Sequence, residues 1–77
     1  MKVIANDYDP KYIIKFIRQA TGLTQTEFGD KIGKCRNTVQ SYELGRIKMS
    51  LNDFIDICNL FNFKITVEEK IKVTVKE

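Results

Sequence analysis

A chain of 77 residues with 43% hydrophobic and 30% charged side chains can form one small folded domain over residues 1–77, and this composition excludes a disordered protein. The net charge of +3 permits binding to nucleic acid without requiring it. No apolar run is long enough to span a bilayer, and the first residues are not typical of a signal peptide. Two cysteines are too few for a disulfide scaffold. A cytoplasmic chain is therefore expected.

The N-terminal part of the chain predicts a short strand followed by a helix. Residues 1–5 favour a strand. Asp9 and Pro10 then form a strong helix start, because an aspartate accepts hydrogen bonds from free N–H groups and proline suits the first helical position. Apolar residues recur at spacings of three and four until Gly22, which predicts a first helix over 10–21.

Capping signals define three further helices. Thr24 with Glu27 three residues later forms a capping box, which predicts a second helix over 24–32. The third and fourth helices are predicted over 36–44 and 51–61. The fourth has an apolar stripe that we expect to be buried, made of Leu51, Phe54, Ile55, Cys58 and Phe61.

The second and third helices have the pattern of a helix–turn–helix pair. Gly29 lies where the two helices would cross, and Gly33 lies where the turn needs a positive φ. Phe28, Ile32, Val39 and Tyr42 fall where a right-angled pair buries apolar side chains. Between these apolar positions the third helix has a polar face. This arrangement predicts that the third helix enters a DNA groove.

After Asn62 the hydrophobic period changes from 3.6 to 2, which is typical of a β-strand. A hairpin with a loop over 68–70 would pair Val67 with Ile71 and keep the apolar side chains on one face. That loop has no Gly, Asn or Asp, so a single long strand is the competing interpretation. The predicted fold is therefore mainly α, a four-helix helix–turn–helix domain with a C-terminal β-strand or β-hairpin over 63–76.

Residues 13–61 resemble the DNA-binding domain of the phage repressor/Cro (XRE) family. The resemblance is carried by GLTQTEFGDKIGKCRNTVQSYELG and the following RIKMSL. The sequence departs from the family pattern at Lys34, Cys35, Leu44 and Met49. The resemblance implies a four-helix fold like that of the lambda repressor and binding to double-stranded DNA.

The same resemblance assigns roles to individual side chains. Base reading is implied for Arg36, Asn37 and Ser41, with Gln40 and Thr38 at the margin; an arginine can donate two bonds to guanine, and Asn or Gln can bind adenine in the same way. The alternative is that Arg36 binds phosphate and the others form a soluble face. The residues expected to bind phosphate are Gln25, Thr38, Arg46 and Lys48, against the alternative of an ordinary first turn and ordinary loop charge.

Enzymatic function is not expected. The chain has no histidine and no glycine-rich phosphate loop, and its two cysteines cannot build a structural zinc site, so no metal and no cofactor are expected. Cys35 at a helix N-terminus is either a redox-sensing thiol or simply a small residue in a capping position.

The predicted function is a sequence-specific transcriptional regulator, a homodimeric repressor on a palindromic operator. The first alternative is an antitoxin that binds DNA and holds a toxin with its C-terminal segment. The second is a protein-interaction module that kept the fold and lost DNA binding. The dimer interface is open between the fourth helix with its preceding loop and segment 63–76, and the sequence favours the segment.

Overall fold

The computed structural model describes residues 2–70, and in this part of the chain it contains a short 3-10 turn and four α-helices. The turn spans Ala5–Asp7. The helices are α1 (Pro10–Thr21), α2 (Gln25–Ile32), α3 (Arg36–Leu44) and α4 (Leu51–Leu60). Within the same described part, no helix combines the length and the apolar character needed to cross a membrane.

Local hydrogen bonds set the helix boundaries. In α2, the Thr24 hydroxyl accepts a bond from the Glu27 N–H at 3.1 Å, and the Glu27 carboxylate accepts one from the Thr24 N–H at 3.1 Å. The predicted capping box is therefore present. Gly33 ends α2 with a φ of 73°, a conformation that L side chains rarely adopt. Cys35 precedes α3 without a capping bond from its side chain.

The core takes at least one side chain from every helix. Its buried members are Ile17, Phe28, Val39, Ile57 and Cys58. Phe28 and Val39 are completely enclosed, at 0% and 1% exposure. The rings of Phe28 and Phe61 stack with centroids 5.2 Å apart, so the residue that follows α4 closes the core over α2.

Gly29 allows α2 and α3 to cross closely. A Cβ at this position would overlap the carbonyl oxygen of Lys34 and would lie 3.3 Å from a methyl carbon of Val39. The Lys34 N–H donates to the Gly29 carbonyl oxygen at 2.9 Å, which closes the turn between the helices. The small residue predicted at this crossing is confirmed.

The predicted strands are wrong for the residues that the structure describes. Residues 63–70 form no strand; residues 2–4 form none either, and Ala5 begins the 3-10 turn. The physical reason is that a strand needs a neighbour to pair with its N–H and C=O groups, whereas alternating apolar residues fix only which side each side chain would occupy. The fold over residues 2–70 is all-helical; residues 71–76, which the hairpin required, lie outside the described residues.

The buried face of α4 also differs from the predicted stripe. Ile57 and Cys58 are buried, whereas Leu51 is 72% and Ile55 is 38% exposed. Phe54 packs against the core only in part. The helix carries more apolar residues than the core can cover, so periodicity alone did not identify the face that packs inward.

Candidate nucleic-acid interface

The polar face of α3 lies opposite its buried face. Arg36 and Asn37, the first two residues of α3, are exposed. Four residues later, Gln40 and Ser41 are half-buried on the same side of the helix, since residues four apart are neighbours on a helix surface. The opposite side carries Val39 and Tyr42, at 1% and 6% exposure. The core therefore holds α3 while leaving the N-terminal end of its polar face accessible.

Thr38 is placed differently from the other predicted contacts. It is half-buried, and its hydroxyl lies 3.2 Å from the Cys35 thiol. The hydrogen bond with the Thr38 side chain is the main cause that lowers the pKa of the Cys35 thiol. A phosphate contact from Thr38 would have to share its hydroxyl with this thiol.

Gln25, at the start of α2, is joined to the end of α3. Its Nε2 donates to Glu43 Oε1 at 3.4 Å. Glu43 is 8% exposed, and a carboxylate so well buried requires partners. The main partner is Arg18 of α1, whose guanidinium donates to both carboxylate oxygens, at 2.7 and 3.0 Å. A third bond from Arg18 reaches the carbonyl oxygen of Leu23 at 3.0 Å.

The Arg18–Glu43–Gln25 network fixes three helices relative to one another. The bond to Glu43 raises the pKa of Arg18 despite the opposing effect of burial, so the guanidinium stays charged. The sequence analysis gave no role to Arg18 or Glu43. The sequence does contain a signal for this ion pair: Glu43 is a carboxylate among the apolar residues that end α3, and a buried charge needs an opposite charge nearby.

The loop after α3 presents two exposed cations, Arg46 and Lys48. Its first residues are tied back to α3, because the Arg46 N–H donates to the Ser41 carbonyl oxygen at 2.9 Å. The two cations therefore lie beyond the C-terminal end of α3, whereas Arg36 and Asn37 lie at the N-terminal end, about 12 Å away for a helix of this length.

The amine of Lys34, in the turn between α2 and α3, lies 3.5 Å from a carboxylate oxygen of Asp53 in α4. Both side chains are more than a third exposed, so this pair contributes little to stability. Its position nevertheless directs Lys34 toward α4. Among residues 2–70, no cluster of His, Cys, Asp and Glu has the geometry to hold a metal ion.

Comparisons with known proteins identify a family and several similar structures. The helix-turn-helix family model HTH_3 matches residues 14–67. A structure of the HipA-HipB-O2-O3 complex contains a chain with a TM-score of 0.64 and 26% identity, and the alignment covers 92% of this chain and 100% of that one. A chain in a HipB-O2 20mer complex has a TM-score of 0.62 and 26% sequence identity, and the alignment covers 90% of this chain and 96% of that one. A structure named "MDT Protein" has a TM-score of 0.62 and 26% sequence identity, and the alignment covers 90% of this chain and 97% of that one. No curated protein matches the sequence.

Proposed function

This chain belongs to the helix-turn-helix family, in its phage repressor/Cro-like (XRE) group, and from that premise we propose that it is a sequence-specific transcriptional repressor that acts as a homodimer in the cytoplasm. One observation carries the proposal. The N-terminal end of α3 exposes Arg36 and Asn37, on a helix whose other side is anchored in the core by Val39.

In this proposal α3 enters the major groove with its N-terminus first. Arg36 donates two hydrogen bonds to a guanine edge, and Asn37 binds an adenine through its amide. Gln40 and Ser41 follow one turn later and read the neighbouring base pairs. Each good two-bond contact contributes about 1–3 kcal/mol of discrimination against the wrong base.

Phosphate contacts position the protein on the duplex. Gln25 has a second amide N–H beyond the one directed at Glu43, and it lies at the N-terminus of α2, where an anion is favoured. Arg46 and Lys48 neutralise phosphates from the exposed loop, and Thr38 adds a hydroxyl contact. These contacts make binding dependent on salt.

Two copies would occupy a near-palindromic operator with half-sites about 34 Å apart, and would repress by covering a promoter. Segment 63–76 is proposed as one contact between the copies. Its support is the exposure of apolar side chains in the described part of that segment, 46% for Ile65 and 94% for Val67.

The test is selection of bound sequences from a random duplex pool by the full chain and by three variants, Arg36→Ala, Asn37→Ala and Lys15→Ala. Lys15 is exposed on α1, so its variant controls for the loss of one charge. We expect a two-fold symmetric site whose sequence changes at matching positions in both halves for the α3 variants and stays the same for the control. Recovery of random sequences by every protein would contradict base reading and would favour a protein-interaction module.

A second candidate function is that of an antitoxin, which binds DNA with α3 and a toxin with segment 63–76. The observation that favours it is the similarity to HipB, whose structure is known in a complex with HipA and O2-O3. The exposed Val67 would lie in the toxin contact.

The antitoxin function can be separated from DNA binding by one variant. If a neighbouring gene product arrests growth, we expect this chain to relieve the arrest, Val67→Asp to lose that relief, and Asn37→Ala to retain it. Val67→Asp should still bind the selected operator. Equal relief by Val67→Asp and by the unaltered chain would exclude segment 63–76 as the toxin contact.

A further inference from the structure

The amide of Gln25, at the start of α2, is held by a carboxylate that belongs to the end of α3. Gln25 is half-buried, and its Nε2 donates to Glu43 Oε1 at 3.4 Å. The same oxygen accepts a bond from Arg18 Nη2 at 3.0 Å, and Arg18 Nε donates to the other carboxylate oxygen at 2.7 Å. Gln25 is therefore the last member of a chain of hydrogen bonds that begins in α1.

The carboxylate fixes which end of the Gln25 amide faces it. A carboxylate oxygen only accepts hydrogen bonds, so it attracts the NH2 group of an amide and repels the amide oxygen. An NH2 group has two N–H donors. One N–H of Gln25 is directed at Glu43, and the other can donate to a second acceptor beside the N-terminus of α2.

We infer that Arg18 and Glu43 are positioning residues for DNA binding, because they hold the Gln25 amide in the orientation that donates to a phosphate oxygen. The inference rests on the proposed function and extends it to α1, whose Arg18 need not touch the duplex. A glutamine side chain with free torsions loses conformational entropy when it binds. The bond to Glu43 removes part of that cost in advance, so the contact from Gln25 to phosphate is stronger while the network is intact.

Arg18 is needed because the Glu43 carboxylate alone would oppose the phosphate. This carboxylate is 4% exposed and lies one hydrogen bond away from Nε2 of Gln25, the atom that would donate to DNA. Two negative groups on one amide repel each other, and solvent screens a buried charge only weakly. The Arg18 guanidinium offsets the charge of Glu43, which lets the carboxylate orient the amide without repelling the duplex.

The experiment compares the unaltered chain with a double variant, Arg18→Met with Glu43→Leu, which removes the network without leaving a buried charge. Gln25→Ala and Asn37→Ala are then introduced separately into both chains. Asn37 is exposed near the opposite end of α3, so its variant reports whether α3 itself has moved. Affinity for the selected duplex is measured by titration, and urea denaturation checks that each protein is folded.

Glu43→Gln replaces the double variant if that protein does not fold. It keeps the size of the side chain but adds an NH2 group, so it no longer dictates which end of the Gln25 amide faces it. The same outcomes then apply.

In the unaltered chain, Gln25→Ala should weaken binding about 10-fold. In the chain without the network, the same substitution should weaken binding by less than about 3-fold, because the amide is no longer oriented. Asn37→Ala should cause the same loss in both chains, because the network acts on Gln25 and not on the polar face of α3.

An equal loss in both chains for Gln25→Ala, or no loss in either, would overturn the inference. A smaller loss for Asn37→Ala as well as for Gln25→Ala in the chain without the network would also overturn it, because the network would then act by holding α3 in place. Failure of the unaltered chain to select any duplex would instead overturn the proposed function.

Discussion

The guanidinium of Arg18 and the carboxylate of Glu43 form a two-bond pair across 25 residues of chain, with Nε to Oε2 at 2.7 Å and Nη2 to Oε1 at 3.0 Å. The side chains are 15% and 4% exposed, so the pair is largely removed from water. Because Glu43 lies in the last turn of α3, this pair holds α3 against α1.

Removing one partner of this pair should be costly. Arg18→Met leaves the Glu43 carboxylate buried without an opposite charge, and the free energy of unfolding should fall by about 3–5 kcal/mol in urea denaturation. Arg18→Met combined with Glu43→Leu should recover much of that loss. Lys15→Met, on the exposed side of α1, is the control; if Arg18→Met costs no more than this control, the pair does not stabilise the fold.

A larger residue at Gly29 should separate α2 from α3. Gly29→Val puts a branched side chain where the Lys34 carbonyl oxygen already lies, and the unfolding free energy should fall by about 1–3 kcal/mol. Ala20→Val, at an exposed position of α1, introduces the same side chain without a crossing helix. Thermal denaturation followed by circular dichroism measures both. Equal melting temperatures for the two variants would mean that the crossing is not tightly packed.

Phosphate and base contacts should respond differently to salt. Arg46→Ala and Lys48→Ala should each weaken binding to every duplex alike, and each should reduce the slope of log affinity against log salt by about 1. Asn37→Ala should leave that slope unchanged and lose about 1–3 kcal/mol of preference for the selected site. Titrations at several salt concentrations separate the two classes. An unchanged slope for Lys48→Ala would remove Lys48 from the phosphate contacts.

The capping box of α2 should make the stability of the fold depend on pH. The hydrogen bond from the Thr24 backbone lowers the pKa of Glu27 below its usual range. A carboxylate with a lowered pKa stabilises the fold above its unfolded-state pKa, and this contribution is lost as pH falls through the folded-state value. The melting temperatures of the unaltered chain and of Glu27→Gln should therefore differ at neutral pH and converge in acid. A difference that stays constant with pH would contradict this role for the charge.

The two cysteines should react at different rates. The hydrogen bond with the Thr38 side chain lowers the pKa of the exposed Cys35 thiol, whereas burial raises the pKa of Cys58. An alkylating reagent at neutral pH should therefore modify Cys35 first, because the thiolate is the reactive form. Thr38→Val should slow this reaction, and Thr26→Val, an exposed threonine on α2, should not. Mass spectrometry over time measures both rates.

The helices could be predicted because their boundaries depend on neighbouring residues. Asp9 and Ser50 accept hydrogen bonds from N–H groups only two and three residues away, at 3.1 Å in both cases. Gly33 was identifiable because a positive φ in a tight turn favours glycine strongly. Local chemistry of this kind is visible in the sequence before the fold is known.

The features that the sequence did not identify depend on distant residues. The partner of Glu43 is 25 positions away, and the outward direction of Leu51 depends on how α4 lies on the rest of the core. After residue 62, apolar and polar side chains alternate with the spacing of a β-strand. A strand also needs a second chain segment beside it, and residues 63–70 form no strand. The individual DNA contacts of Arg36 and Asn37 stay predictions.

The stacking of Phe28 on Phe61 has a consequence for synthesis of the protein. The ring that closes the core over α2 comes 33 positions later in the chain, so α2 and α3 cannot be stably packed when they first leave the ribosome. Folding must wait until α4 and Phe61 have emerged as well. A nascent chain that ends before Phe61 would therefore contain the whole polar face of α3 without the packing that holds this helix in place.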